Sequence, residues 1–243
     1  MNLAGRVALV TGAGQRLGRA LAVALGKERM QVGVHYNSSA DGARATQEMI
    51  EAAGGKATIF QSDLTSPREP AELVRKVAAA FGSLAVVVNS AAVMERSPIG
   101  TVTSQVWDDI FALNLRAPFL VSQAAAPLMK SEGGAIVNIA DLGAFENWPG
   151  YVPHSISKAG VVKMTSSLAR VLAPEIRVNA IAPGAVLLPA DWNPEAGDRL
   201  ASTTPLKRLG NPDDVVEAML YLLRSDYVTG ETLIVDGGRH IRK

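Results

Sequence analysis

The sequence predicts a doubly wound α/β fold, in which helices cover both faces of a seven-stranded, mainly parallel sheet. Two observations lead to this prediction. Seven short apolar runs, typical of strands buried on both faces, alternate with segments of helical periodicity. The first run ends in a glycine-rich turn that opens directly into a helix. Because no long linker, repeat or low-complexity segment interrupts this alternation, we expect residues 1–243 to form a single domain.

The pattern divides the chain into short strands and longer helices. The predicted strands are residues 7–10, 31–35, 58–61, 84–89, 135–140, 175–182 and 231–235. The predicted helices after the first are residues 40–53, 67–81, 103–113, 115–130, 153–172 and 212–223, the last with Asn211 as its cap. The remaining long stretch, residues 185–210, contains three prolines, and we expect it to form an irregular, mobile flap over a pocket.

The glycine-rich turn predicts a phosphate-binding site. Gly12, Gly14 and Gly18 follow the first apolar run and precede the first helix. Glycine allows a tight turn and lets a phosphate approach the free N–H groups at the start of a helix. This arrangement is typical of dinucleotide-binding sites, although an ordinary strand-to-helix turn is the alternative.

The end of the second predicted strand favours NADP over NAD. An acidic residue here would hold the 2′-hydroxyl of NAD, but the sequence continues as His35, Tyr36, Asn37 and Ser38. Arg16, at the start of the first helix, opposes the helix dipole, so an anionic partner would explain it. We expect Arg16, His35, Asn37 and Ser38 to bind the 2′-phosphate; a solvated surface position is the alternative for Arg16.

Two carboxylates and a pair of basic residues are candidates for chemistry. Asp63 follows the third strand, where it can accept a hydrogen bond from an adenine amino group or close a local turn. Asp141 stands just past the fifth strand, at the edge where open α/β sheets place their ligands. His154 and Lys158 are four residues apart and share one face of a predicted helix.

Composition argues against several other classes of function. The formal net charge is +1, which indicates neither a nucleic-acid nor a membrane partner. The chain has no cysteine, and its three histidines, His35, His154 and His240, do not have the spacing of metal ligands. No apolar run has membrane-spanning length, and the first strand leaves no room for a signal peptide. We expect a cytoplasmic protein without a metal site.

Over nearly its full length the chain resembles the short-chain dehydrogenase/reductase family. The matching segments are Thr11-Gly12 with Gly18, Asp63, Asn89-Ser90-Ala91, Asn114, Pro149-Gly150, Ser157-Lys158-Ala159, Arg177-Val178-Asn179, Pro183-Gly184 and Asp236-Gly237-Gly238. The resemblance implies a Rossmann-type domain, a nicotinamide cofactor and a small-molecule substrate. It also implies a homotetramer, with a dimer as the alternative.

Two departures from the common pattern resemble the pteridine reductase branch, whose members reduce dihydropterins or dihydrofolate with NADPH. Arg16 stands where the family usually has glycine, and Asp141 stands where it usually has serine. A His-Tyr pair after the second strand, His35 and Tyr36, is a further likeness. That branch usually has an aromatic ring just after the Asn89 segment, whereas this chain has Met94 there.

A third departure concerns the proton donor. The family has its catalytic tyrosine four residues before Lys158, and this chain has His154. In the family the lysine lowers the pKa of that tyrosine and holds the nicotinamide ribose, and the residue at Asn114 anchors a water in the proton path. Imidazole is a competent acid near neutral pH, and Asp141 would favour its protonated form while Lys158 would disfavour it. The alternatives are that Asp141 relays the proton with His154 in support, or that His154 only fills space.

Together these observations predict an NADPH-dependent oxidoreductase that transfers hydride to a pterin-like or other small C=N or C=O substrate. A protein that binds NADP with little catalysis, and a reductase of another ketone or alcohol, are the alternatives. The expected catalytic residues are Asp141, His154, Lys158 and Asn114. The expected cofactor contacts are Gly12, Arg16, Leu17, Gly18, His35, Asn37, Ser38, Asp63, Leu64, Asn89, Ser90, Ala91, Lys158, Pro183 and Gly184. The expected substrate contacts are Met94, Tyr151, Leu188 and Trp192.

Overall fold

A central sheet of seven strands organises the computed structural model, which describes residues 1–188 and 194–241. The strands are β1 (Val7–Thr11), β2 (Gln31–Tyr36), β3 (Lys56–Gln61), β4 (Val86–Asn89), β5 (Gly134–Ile139), β6 (Ile176–Pro183) and β7 (Thr232–Val235). They lie in the order β3-β2-β1-β4-β5-β6-β7, and all six neighbouring pairs are parallel. The doubly wound α/β prediction is therefore confirmed.

Helices cover both faces of this sheet. They are α1 (Arg16–Lys27), α2 (Ala40–Ala52), α3 (Glu69–Phe81), α4 (Ser104–Phe111), α5 (Ala117–Met129), α6 (Val152–Leu172), α7 (Pro194–Thr203) and α8 (Pro212–Arg224). Successive residues of a strand point to opposite faces. Accordingly, Ala8 and Val10 pack with α1, α2 and α8, whereas Val7 and Leu9 pack with α3, α5 and α6. Burial on both faces explains why the strands are continuous apolar runs.

The strand order reverses between β1 and β4, and the two strands end side by side. Thr11 pairs with Asn89 at the last step of the β1–β4 ladder. The Thr11 hydroxyl oxygen then accepts hydrogen bonds from the backbone N–H groups of Ser90 and Ala91, at 3.0 and 3.1 Å. In open α/β sheets, ligands bind in the crevice at such a reversal.

A π-helical segment joins α4 to α5. The sequence predicts two helices that meet near Asn114, and the structure places Asn114 inside a five-residue π-helix, Ala112–Arg116. Such segments interrupt α-helices frequently at functional sites, because the wider turn redirects side chains. Here the Asn114 side chain reaches Val93 and the start of α6.

The expected irregular flap at residues 185–210 is wrong in part, because helix α7 lies within it. Glu195 stands in the first turn of α7, where it complements the helix dipole, and it faces Arg199 one turn later at 3.8 Å. The high proline content of the stretch concealed this helical pattern. Trp192, an expected substrate contact, lies outside the described residues.

Replacing Asn211 tests the cap of α8. Its side-chain oxygen accepts from the N–H groups of Asp213 and Asp214, and the Asp214 carboxylate accepts from the Asn211 N–H. We expect Asn211→Ala to lower the free energy of unfolding by about 1 kcal/mol, because the first-turn N–H groups lose their acceptor. Asn211→Ser keeps a capping oxygen and serves as the control in chemical denaturation. Equal loss in both variants would contradict this role.

Candidate active site

The turn between β1 and α1 brings the backbone close to two neighbouring segments. Gly12 has φ +67°, and a Cβ there would lie 2.8 Å from Ala91 Cα. A Cβ on Gly14 would lie 3.1 Å from the Ser39 carbonyl oxygen. The N-terminus of α1 has no side-chain cap and no acidic residue in its first turn. The first N–H groups of the helix are therefore suited to an anion.

A groove of about 330 Å³ runs along this turn. It is lined by twelve of the fifteen expected cofactor contacts: Gly12, Arg16, Leu17, Gly18, His35, Asn37, Ser38, Asp63, Leu64, Ser90, Ala91 and Lys158. The structure thus brings together residues from the ends of β1, β2, β3 and β4 with a side chain from α6.

The other three expected contacts lie outside this lining. The Asn89 side chain turns into the core, where its amide donates to Asn138 Oδ1 at 2.8 Å and to Ser122 Oγ at 3.1 Å. Pro183 ends β6, and a Cβ on Gly184 would lie 2.8 Å from Asp236 Cβ. The expectation for Asn89 differs from the structure because a sequence motif does not reveal whether the side chain at a strand end points into the groove or into the core.

The expected contact of His35 with a phosphate is wrong in this geometry, because both ring nitrogens are already used. His35 is buried; its Nδ1 accepts from the Gly12 N–H at 3.1 Å, and its Nε2 donates to the Ser62 carbonyl at 3.0 Å. Burial lowers the pKa of His35 below its ordinary value of 6.5, although the Ser62 bond opposes this shift. His35 therefore fixes the glycine turn as a neutral ring.

The Arg16 guanidinium points to the flap side of the groove, which differs from its expected place beside Asn37 and Ser38. It donates to the Leu187 carbonyl at 2.8 Å and to the Leu188 carbonyl at 3.4 Å. These residues follow β6, whereas β2 lies on the opposite side of β1. Arg16 has φ +51°, a left-handed conformation that costs a non-glycine residue about 1–2 kcal/mol. An observed strain of this kind points to a role for the side chain.

Asp63 closes a local turn, as one of its two sequence interpretations predicts. Its Oδ1 accepts from the backbone N–H of Thr65 at 3.0 Å and from the Thr65 hydroxyl at 2.8 Å. The residue is exposed at the edge of the groove.

Asp141, His154 and Lys158 form a cluster beyond the end of β5. His154 Nε2 lies 2.6 Å from Asp141 Oδ2, and the Gly143 N–H donates to Asp141 Oδ1 at 2.8 Å. Lys158 is buried and donates from Nζ to the Ile139 carbonyl at 2.8 Å. His154 is only 1% exposed, whereas the Asp141 side chain is 20% exposed. The carboxylate is therefore the part of the His154–Asp141 pair that an incoming molecule meets.

The electrostatics of the cluster favour an ionised Asp141. Burial works to raise the Asp141 pKa, but the hydrogen bond from His154 and the charge of Lys158 outweigh it, so this pKa is lowered. Burial lowers the pKa of Lys158, and the Asp141 charge opposes that shift. The three groups are thus coupled, as is typical of sites for proton transfer.

Asn114 holds the peptide group of Val93 rather than presenting a free amide to water. Its Oδ1 accepts from the Val93 N–H at 2.8 Å, and its Nδ2 donates to the Val93 carbonyl at 2.9 Å and to Ser157 Oγ at 3.1 Å. The same carbonyl lies 3.0 Å from His154 Nδ1. The side chain of Asn114 therefore orients the partner of the histidine ring.

Aromatic surface beside the pair comes from Trp148, which sequence reasoning did not single out. The Trp148 and His154 rings are nearly parallel, with centroids 6.3 Å apart and 4° between planes. Tyr151 packs edge-on against Trp148, also at 6.3 Å. The sequence signal for this surface was the presence of two large aromatic residues, three positions apart, just before His154.

Two further expected substrate contacts, Met94 and Leu188, lie in other parts of the described structure. Met94 is 52% exposed on the loop after β4. The Leu188 side chain approaches α7, since its Cδ1 would lie 3.0 Å from a Cβ on Gly197.

Within residues 1–188 and 194–241, no group of three or more His, Cys, Asp or Glu side chains is placed to hold a metal ion. Across the same ranges, none of the helices has the length and apolar character needed to cross a membrane.

Replacing His35 tests its structural role through pH. A group whose pKa is lowered on folding contributes stability above its unfolded value, near 6.5, and that contribution is lost as pH falls. We therefore expect the free energy of unfolding to fall more steeply below pH 6.5 in the parent than in His35→Asn, whose oxygen can still accept from Gly12. Denaturation at several pH values measures the two slopes. Indistinguishable slopes would contradict a neutral, buried His35.

Known proteins are similar to this chain over nearly its whole length. Residues 12–240 match a family model described as enoyl-(acyl carrier protein) reductase. The 3-oxoacyl-[acyl-carrier-protein] reductase FabG of Staphylococcus epidermidis is 34% identical over 241 residues, which cover 96% of this chain and 98% of that protein.

Two solved structures are also similar. FolM alternative dihydrofolate reductase 1 from Brucella canis, complexed with NADP, is 30% identical with a TM-score of 0.94 and covers 100% of this chain and 96% of its own. The angucycline C-6 ketoreductase LanV with bound NADP is 31% identical with a TM-score of 0.92, over 99% and 97% of the two chains. Sequence and fold agree: this chain belongs to the short-chain dehydrogenase/reductase family of oxidoreductases.

Proposed function

We propose that this protein is an NADPH-dependent reductase of a C=N bond in a dihydropterin or dihydrofolate-like ring. The observation that carries the proposal is the hydrogen-bonded Asp141–His154 pair beside Lys158 at the carboxyl end of β5. Lys158 belongs both to this cluster and to the lining of the groove that suits a dinucleotide. The similarity to FolM, a dihydrofolate reductase complexed with NADP, supports the same assignment.

The groove fits a nicotinamide dinucleotide. Its glycine turn has no room for side chains at Gly12 and Gly18, and the uncapped N-terminus of α1 suits a pyrophosphate. Lys158 lines the groove and also acts on the charge of Asp141, and it would hold the nicotinamide ribose. When bound, the cofactor supplies hydride to the substrate.

The end of β2 is suited to the 2′-phosphate that distinguishes NADPH. Asn37 and Ser38 line the groove there, and Ser39, the N-cap of α2, makes no side-chain cap hydrogen bond. Among the described residues of this lining, Asp63 is the sole carboxylate, and it stands after β3 rather than β2. Hydroxyl and N–H donors at the end of β2, with no acid among the described lining residues there, favour a phosphate over a free ribose hydroxyl.

The Asp141–His154 pair supplies the proton that the substrate nitrogen needs after hydride arrives on the neighbouring carbon. Asp141 is the exposed member and contacts the substrate, while His154 acts through it. The Trp148 ring, nearly parallel to the His154 ring, provides a flat aromatic surface beside the pair, which suits an aromatic heterocycle. This surface takes the place of the ring that the sequence lacks at Met94.

A second candidate function is reduction of a ketone. FabG is described as an oxoacyl reductase and LanV as a ketoreductase, and both are similar to this chain over nearly its full length. The same pair can protonate a carbonyl oxygen. A third candidate function is NADP binding with little turnover. It follows if the buried His154 does not pass a proton to Asp141.

Turnover tests the proposed function. We expect NADPH oxidation with dihydrobiopterin or dihydrofolate, and a loss of about 10²–10⁴-fold in kcat in Asp141→Asn, because the proton donor is removed. NADPH affinity, measured by fluorescence, changes little in the same variant. Activity only with 3-oxo substrates favours the second candidate, and binding without any turnover favours the third. Full activity in Asp141→Asn removes Asp141 from the mechanism.

Cofactor preference tests the proposed phosphate subsite. We expect Ser38→Asp to weaken NADPH binding at least tenfold relative to NADH, because a carboxylate at the end of β2 repels the 2′-phosphate. Arg16→Gly is the matched control, since its guanidinium points to the flap side. It should change NADPH and NADH affinities by the same factor. A selective loss of NADPH in Arg16→Gly would instead restore Arg16 to the phosphate subsite.

The homotetramer stays a prediction from the family resemblance, and the cytoplasmic location stays a prediction from the sequence composition. A second groove lies between α4, α5 and α6. The exposed aromatic side chains of Trp107 and Phe119 near it support association with further copies of the chain.

A further inference from the structure

The His154 ring lies between two oxygen atoms that accept hydrogen bonds. Nδ1 is 3.0 Å from the Val93 carbonyl oxygen, and Nε2 is 2.6 Å from Asp141 Oδ2. A carbonyl and an ionised carboxylate have no proton to donate. The ring must therefore donate at Nδ1, and a proton must also lie between Nε2 and Oδ2.

Asn114 is the third neighbour of the ring, and it does not satisfy Nδ1. Its Nδ2 lies 3.4 Å from Nδ1, but the amide has only two N–H groups. The shorter contacts, 2.9 Å to the Val93 carbonyl and 3.1 Å to Ser157 Oγ, use both. The Ser157 hydroxyl itself donates to the His154 carbonyl at 2.6 Å, so its oxygen is the acceptor for Asn114. Nδ1 is left as the donor to Val93.

We propose that His154 is a buried proton store, held as an imidazolium against the Asp141 carboxylate, with the Nε2 proton as the one that moves. The Nδ1 proton stays on the ring, because Val93 accepts it whether the ring is charged or neutral. Asn114 fixes the Val93 peptide from both its N–H and its carbonyl, so this acceptor does not turn away. The catalytic meaning of this store rests on the proposed function; its protonation state does not.

The charges around the ring are consistent with this state. Asp141 is the acid whose pKa is lowered by the His154 hydrogen bond and by Lys158, although burial opposes that shift. Lys158 is the cation of the cluster that disfavours a second positive charge, and burial lowers its own pKa. An ion pair inside hydrogen bonds that satisfy both partners can persist where a lone buried imidazolium could not.

The proton stored on His154 is the one proton that the proposed reduction needs in addition to the hydride. Hydride adds to the carbon of the C=N bond, and the nitrogen then needs one proton. That proton passes from His154 Nε2 to the Asp141 carboxylate and from the carboxyl group to the nitrogen. His154 is left neutral, with Nδ1–H still bonded to Val93. A proton from solvent, entering at the exposed edge of Asp141, restores the starting state.

Nitrogen NMR of the apo protein labelled in its histidine rings tests the store directly. The chain has three histidines, so each ring can be assigned. At pH 7 we expect both His154 nitrogens to be protonated. His35 is the internal reference, neutral with its proton on Nε2, because Nδ1 accepts from Gly12. A bare Nδ1 on His154 would overturn the proposal even if the enzyme reduces pterins.

Two matched variants separate the carboxylate effect from a general disturbance. In Asp141→Asn we expect the Nε2 proton of His154 to be lost at pH 7 while the Nδ1 proton remains. Asp236→Asn removes the carboxylate that contacts His240 at 2.8 Å, and should leave the His154 signals unchanged. An unaltered His35 signal shows that each variant is folded. A doubly protonated His154 in Asp141→Asn would overturn the store. Absence of turnover in the parent, with the expected NMR state, would count against the proposed function alone.

Discussion

The parallel pairing of β1 with β4 is the constraint on which the site depends. The two strands are neighbours in the sheet although two strands and three helices separate them in the chain. Their ends meet at Thr11, whose hydroxyl receives the next two backbone N–H groups of the β4 loop. The close approach of Gly12 to Ala91 follows from this contact. The groove exists because two loops leave one point of the sheet in opposite directions.

The cluster of Asp141, His154 and Lys158 is attached to the same edge of the sheet by a second set of contacts. Asp141 leaves the end of β5, and α6 brings His154 and Lys158 beside it. The π-helical segment carries Asn114 to the Val93 peptide, which lies on the loop after β4. The loop that borders the cofactor groove thus also holds the histidine ring, which is the arrangement that the proposed reduction requires.

By the family resemblance, His154 stands where a catalytic tyrosine is expected, and a histidine at that position needs different hydrogen-bond partners from a tyrosine. A buried imidazole needs a partner at each nitrogen, and this chain supplies the Val93 carbonyl and Asp141. By the same resemblance, Asp141 stands where serine is expected. The two departures are therefore complementary, since each gives the other its hydrogen-bond partner. This complementarity argues for a working arrangement rather than the loss of one.

The sequence by itself determined the sheet, the glycine turn and the residues at strand ends, because burial on both faces and glycine-rich turns leave local patterns. Only the tertiary structure decided where long or polar side chains point. Both ring nitrogens of His35 are hydrogen-bonded, one to Gly12 and the other to Ser62. The Arg16 side chain bonds to the flap, and the Asn89 side chain lies in the core. Each of these outcomes depends on partners more than 20 residues away in the chain. A local sequence pattern does not contain information about such long-range contacts. The roles of these side chains at the groove could therefore be assigned only from the folded structure.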